Sequence, residues 1–293
     1  DGSATRVLMV FAFRLNQAMV LGLARQSARP IAATLRELPP LPRHGQWATF
    51  LRNHDEIDLG RLTDEERQEV FAEFGPDPDM QLYNRGIRRR LAPMLGGNRR
   101  RIELAYSLQF SMPGTPVIRY GEEIGMGDNL DLPEREAIRT PMQWDDRRNA
   151  GFSQAEPEQL VAPVIDFGPY SYKHVNVMAQ RLDPNSLLTW FERILHGLRE
   201  CGEIGSGDHT IIDAAPEQVL VHRADGPTGS TLFVHNLADR RCTLALGSQR
   251  DPAHRPLNFF ADSDYGRDVD LETVEVAGFG YRWIRLRQTP GRT

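Results

Sequence analysis

The chain has 293 residues, of which 40% are hydrophobic and 26% charged, and a formal net charge of −5. That length suits one large domain or a large and a small one, and the composition is ordinary for a soluble globular protein. The acidic balance argues against nucleic acid or an anionic membrane as partner. No apolar run is long enough to cross a membrane, and the N-terminus lacks the order of a signal peptide. Cys201 and Cys242 stand apart with no metal-ligand spacing, which suits a reducing cytoplasm and leaves a single disulfide open.

Residues 1–5 are polar, and residues 6–13, RVLMVFAF, read as a buried strand. Helical spacing follows over 16–29 and 31–38, stopped by Pro39 and Pro40. Residues 46–58, QWATFLRNHDEID, bring the first chemistry. Trp47, Ala48, Phe50 and Leu51 form a short apolar run of the kind found in buried parallel strands. The run breaks into Asn53, His54, Asp55 and Glu56, and polar groups at the C-terminal end of a strand are how a (β/α)8 barrel presents catalytic residues. A carboxylate beside an imidazole there can steady positive charge and bind a polar substrate. The same tetrapeptide also reads as a helix N-cap on a βα-loop, with Asn53 or Asp55 as the cap.

Thr63 and Glu66 have capping-box spacing and open a helix to about Phe74, which the sequence GPDP ends. Residues 84–94 look helical, and Asn98 caps a longer helix with Ile102, Leu104, Ala105, Leu108 and Phe110 on its apolar face. The arginine runs 88–90 and 99–101 look like nucleic-acid patches but read better as solvated helix faces carrying ion pairs. Met112-Pro113-Gly114 breaks the helix, and 115–120 is the next strand. Strand, helix, strand is the rhythm of a parallel α/β array. Periodicity disappears over 121–169, and long irregular stretches in a compact domain are usually functional. A helix opening at Asp183-Pro184 carries Trp190, Phe191 and Ile194 on its apolar stripe. Beyond Gly205, short β-prone runs separated by turn residues read as an antiparallel β domain of sandwich type.

Taken together, FLRNHDE (50–56), GIRRRLAP (86–93), PGTPVIRYGEEIGMGD (113–128) and RTPMQWDDRRNAGFS (139–153) resemble glycoside hydrolase family 13, the α-amylase family. Within it the chain looks most like the trehalose synthases, which rearrange maltose, and the related α-glucosidases. The likeness continues through 175–195 and, more weakly, 280–287. It implies an α/β protein, with residues 1–203 the C-terminal part of a catalytic (β/α)8 TIM barrel and residues 204–293 an antiparallel β-sandwich domain. The implied reaction acts on maltose or a similar short α-glucoside with retention, through a carboxylate nucleophile and a carboxylic acid.

The resemblance maps Asp55 onto the family's third, transition-state-stabilising carboxylate. It maps His54 onto the imidazole of the innermost sugar subsite and Arg139 onto an arginine lining its closed end. By the same resemblance the chain starts near the sixth barrel strand, so the nucleophile and general acid are not in it. Ahead of Asp55 the only carboxylates are Asp1 and Glu37. Arg119-Tyr120-Gly121-Glu122-Glu123 departs from the Tyr-Tyr-Gly-Asp-Glu common in close relatives, and its two acids read equally as site residues or as partners of arginines. The family often binds calcium, but the residues usually responsible lie upstream, and Asp128 with Asn129 are too few to hold it. The functional expectation is conversion of maltose to trehalose, or hydrolysis of short α-glucosides, completed by a missing N-terminal part of the barrel. The contrasting expectation is a non-catalytic fragment or carbohydrate-binding remnant.

Overall fold

The computed structural model describes residues 8–39, 45–213, 216–227 and 229–288. The polar stretch 1–5, the start of the strand read over 6–13, and Pro40 lie outside the described residues. The fold is α/β, in two compact units: residues 1–50, 103–116 and 196–293 form one, and residues 51–102 and 117–195 the other.

In the first unit β1 (Met9–Phe11) and β3 (Thr115–Pro116) flank β2 (Gln46–Thr49) in a three-stranded parallel sheet. The expected buried first strand is corrected here. Met9, Val10 and Phe11 are 46, 44 and 47% exposed, because among the described residues β1 pairs only with β2. It runs into the helix Phe13–Arg25, on which Arg29–Arg36 follows. Asn16 Nδ2 donates to the Phe50 carbonyl at 2.8 Å and Gln109 Nε2 to that of Thr49 at 3.1 Å, satisfying the end of β2 from two helices. Gly114, at φ +115°, passes the Trp47 backbone too closely for any side chain.

The same unit holds a five-stranded antiparallel sheet of β4 (Asp208–Ile211), β5 (Val219–Gly226), β6 (Gly229–Asn236), β8 (His254–Ala261) and β10 (Tyr281–Gln288), ordered β8-β10-β6-β5-β4. Strands β7 (Cys242–Leu244) and β9 (Val274–Val276) pair separately. Strand alternation sends Val219, Val221, Leu232, Val234, Ile284 and Leu286 to one face, where they share an apolar core with Leu244, Val274 and Val276. The opposite parity buries His222, Phe233, His235, Tyr281 and Trp283.

In the second unit the expected capping box forms: Glu66 N donates to Thr63 Oγ1 at 3.2 Å and Thr63 N to Glu66 Oε2 at 3.1 Å. Asn98 Oδ1 likewise accepts from Arg100 N and Arg101 N at the head of helix Arg99–Ser111. Residues 84–94 are not one helix. Gly86–Ile87 is a short strand between Ile57–Asp58 and Gln81–Leu82, and only Leu91–Met94 is helical. Long-range bonds override the local spacing: Arg88 donates to the carbonyls of Leu130 at 3.0 Å and Leu132 at 2.6 Å. The arginine run is therefore no solvated face, with Arg88 9% and Arg90 0% exposed. The helix read from Asp183-Pro184 starts at Leu187, after Ser186 Oγ accepts from Thr189 N at 3.1 Å. The segment read as irregular, 121–169, contains only short 3-10 turns, pinned by Ile124, Met126 and Met142 in a cluster with Val177.

Candidate functional site

Past the end of β2 the chain reaches Asn53–Glu56 as a tight turn in which Asn53 Oδ1 accepts from Asp55 N at 2.9 Å. Arg119 Nη1 donates to the Asn53 carbonyl at 2.9 Å, and Arg52 Nη2 to that of Asp55 at 3.0 Å. The unusual arginine at position 119 thus has a structural partner in this turn. Neither Asn53 nor Asp55 caps a helix here, since the chain enters the short strand Ile57–Asp58.

Arg139 closes the group. Its Nε donates to the His54 carbonyl at 2.8 Å, its Nη2 to Asp55 Oδ1 at 2.9 Å, and its Nη1 to Glu136 Oε1 at 3.3 Å. Arg135 Nη1 lies 3.3 Å from the same Asp55 oxygen. Its Nε and Nη2 grip buried Glu56 at 2.7 and 3.2 Å, a bidentate charge-assisted pair. The guanidinium also sits over the Tyr83 ring at 5.6 Å, while the Tyr83 hydroxyl donates to Glu134 at 3.0 Å. Gly86 makes room for Glu56, because a Cβ there would meet Glu56 Cγ at 2.5 Å. One oxygen of Asp55 is therefore fixed by two guanidinium groups. The other, Oδ2, lies 3.6 Å from His54 Nε2, and the His54 side chain is 75% exposed.

His54, Asp55 and Arg139, singled out from the sequence, are brought together. Arg135 and Glu136 were missed; their one signal was a pair of arginines four apart, flanked by acids, in a stretch without periodicity. Glu122 and Glu123 part company. Glu122 is buried against Arg90 at 3.1 Å and accepts from Leu91 N at 3.3 Å, an arginine-pairing role. Glu123 Oε2 is buried and accepts no hydrogen bond among the described residues, and burial pushes its carboxyl up from its ordinary value.

Calcium does not fit the two oxygen donors noted in the sequence. Asp128 Oδ2 already accepts from Arg89 Nε at 3.0 Å and Arg90 N at 2.9 Å, and Asn129 Oδ1 from Asp131 N at 3.1 Å. Among the described residues no group of three or more His, Cys, Asp or Glu could hold a metal ion. Among them, too, no helix is long and apolar enough to cross a membrane.

The sequence profile of the α-amylase catalytic domain matches residues 82–204. The trehalose synthase/amylase of Mycolicibacterium smegmatis is 38% identical over 291 residues, 96% of this chain and 49% of that protein. The trehalose synthase of Thermus thermophilus is 42% identical over 238 residues, 81% of this chain and 25% of that protein. The chain thus spans at most about half the length of these relatives. Among solved structures, the α-amylase of H. orenii superposes with a TM-score of 0.67 at 19% identity, over 96% of this chain and 49% of its own. With its ordered motifs matched in this way, the chain belongs to the α-amylase family, glycoside hydrolase family 13, a family of enzymes in which it is similar to the trehalose synthases.

Proposed function

We propose that this chain supplies the transition-state-stabilising carboxylate and the innermost sugar subsite of a retaining α-glucoside-acting enzyme that converts maltose to trehalose. In this reading residues 1–203 are the C-terminal portion of a (β/α)8 barrel and residues 204–293 a β-sandwich domain. Asp55 stabilises the oxocarbenium-like transition state, His54 binds the sugar, and Arg139 lines the closed end of the subsite. The observation that carries it is the hold of Arg139 and Arg135 on one oxygen of Asp55, at 2.9 and 3.3 Å. A carboxylate fixed on one side keeps its second oxygen oriented toward developing positive charge, with little reorganisation at the moment of reaction.

The nucleophile and general acid then come from polypeptide outside this chain, as its span of about half the relatives' length supports. By itself the chain turns over no maltose. The free thiols of Cys201 and Cys242 suit a reducing, cytoplasmic setting. The products decide among the readings. Maltose followed by proton NMR should stay intact with the 293-residue chain alone. A longer protein carrying these residues with the preceding barrel strands should give trehalose. Glucose without trehalose would select α-glucosidase hydrolysis, and an inverted first product would overturn the retaining mechanism. Binding without turnover in either form would select the carbohydrate-binding remnant.

A further inference from the structure

The turn at Arg119 and Tyr120 reaches both segments that carry the Asp55 group. Arg119 Nη1 donates to the Asn53 carbonyl at 2.9 Å, and Asn53 Oδ1 in turn accepts from Asp55 N. The hydroxyl of Tyr120, the next residue, donates at 2.8 Å to the carbonyl of Thr140, which follows Arg139 in the chain. One dipeptide therefore ties down both sides of the Asp55–Arg139 pair. The base of that tie is firmly built. Glu122 N donates to the Arg119 carbonyl at 3.2 Å and Met126 N to that of Gly121 at 2.8 Å. Gly121 sits at φ +86°, and a Cβ there would meet Met126 Sδ at 2.4 Å. Arg90, fully buried, donates to the Tyr120 carbonyl at 2.9 Å. The guanidinium groups of Arg90 and Arg119 both lie over the Tyr120 ring, at 5.3 and 5.1 Å.

A buried arginine is an expensive way to hold one carbonyl. Arg119 is 8% exposed, and its Nε finds no hydrogen-bond partner among the described residues. Burial lowers its pKa and the Arg90 charge adds to that, while Glu122, whose charge offsets it, is itself bonded to Arg90 at 3.1 Å. A glutamine can donate to a carbonyl without burying a charge. It cannot also lay a planar cation over the Tyr120 ring. Arginine at this position thus couples the hold on Asn53 to the placement of Tyr120, and through Tyr120 to Thr140. We propose that Arg119 is a positioning residue, which sets the separation of Asp55 and Arg139 by acting through Asn53 and Thr140. Its effect on that geometry stands by itself; its effect on rate rests on the reading of Asp55 above.

Two measurements test it. In the 293-residue chain the Arg139 Nε–H, which donates to the His54 carbonyl at 2.8 Å, is followed by heteronuclear NMR and assigned by its loss in Arg139→Lys. Its exchange with solvent should be about tenfold faster in Arg119→Met, the change implied by losing one charge-assisted hydrogen bond. Thr63→Ala, which destabilises the same unit at its capping box, should leave that exchange within about twofold. In a longer protein that carries the activity, Arg119→Met should lower kcat about tenfold with KM within about threefold, because the groups that meet substrate are present but misplaced. Arg119→Lys, which can reach Asn53 but brings no planar cation to Tyr120, should fall between. Circular dichroism matched to the parent separates lost position from lost folding. If Arg119→Met does not fold, Arg119→Lys and Tyr120→Phe take its place, with faster exchange still expected. Unchanged Arg139 exchange in a folded Arg119 variant would overturn the proposal. Faster exchange with normal kcat would overturn its bearing on rate if Asp55→Asn abolishes turnover. The same result with Asp55→Asn fully active would overturn the Asp55 reading instead.

Discussion

Two polar assemblies in this chain solve opposite problems. Around Asp55, charges are gathered where water still reaches: Asp55, Arg135 and Arg139 each keep about a third of their side-chain surface. Beneath the five-stranded sheet the polar groups are imidazoles kept neutral. His209, His222 and His235 stack with ring centres 5.9 and 6.1 Å apart, and His222 and His235 are fully buried. Ser111 Oγ donates to the Leu108 carbonyl at 2.8 Å, so at 3.1 Å His222 Nε2 must be the donor to Ser111. Ser107 Oγ accepts from Trp283 Nε1 at 2.9 Å and meets His235 Nε2 at 3.1 Å. The Nδ1 atoms of all three rings are buried and find no hydrogen-bond partner among the described residues. Paired charge at a solvent-exposed rim can act on a ligand, whereas neutral polar rings buried under a sheet specify packing.

The sharpest way to break that comparison is Asp55→Asn in a protein that carries the activity. The amide keeps the shape and the bond from Arg139 but loses the charge. Turnover should fall by about a thousandfold or more, in line with the loss of one preorganised electrostatic group, with folding unchanged. Near-normal kcat would return Asp55 to the role of a turn residue.

The histidine layer predicts the next largest effect, on stability. Burial lowers the pKa of His235 to about 3, that of His222 well below its ordinary value, and that of His209 below its own. The unfolded chain, with ordinary values near 6.5, therefore binds more protons than the folded one below that pH. Stability from keeping these rings neutral is complete above about pH 6.5 and is lost as pH falls toward 3. Asp208 and Asp225 face His209 and oppose the effect there. His222 and His235 each contribute a slope of about 1.4 kcal/mol per pH unit in that window. Urea unfolding at stepped pH should show the decline, and His222→Gln, which preserves a donor toward Ser111, should flatten it by about one ring's share. An unchanged slope would mean that the layer is hydrated and the contrast with the Asp55 group is false.

Legibility followed the same division. That His54, Asp55 and Arg139 come together was readable because two of the ordered motifs, 50–56 and 139–153, carry them, and the Thr63 capping box because its chemistry is local. The histidine layer was not, since His209, His222 and His235 lie on three strands and meet only through sheet register. Arg135 escaped because its partners Glu56 and Asp55 are about 80 positions away. The arginine run 88–90 misled because helical spacing says nothing of carbonyls at Leu130 and Leu132 waiting to be bonded.

Arg135 also gives the finest test of what the site needs, charge or geometry. Arg135→Lys keeps the cation near Asp55 and Glu56 but cannot form the planar, two-toothed grip on Glu56. If position matters, kcat should drop about tenfold, because Asp55 loses one of the two groups that set its orientation. KM should stay nearly constant, because Arg139 keeps its bond to Asp55. Arg135→Ala should be worse, leaving Glu56 buried without its partner and harming folding as well as rate. The lysine variant is therefore the discriminating one. A normal kcat with normal stability would show that charge alone suffices around Asp55, and that the second guanidinium serves Glu56 only.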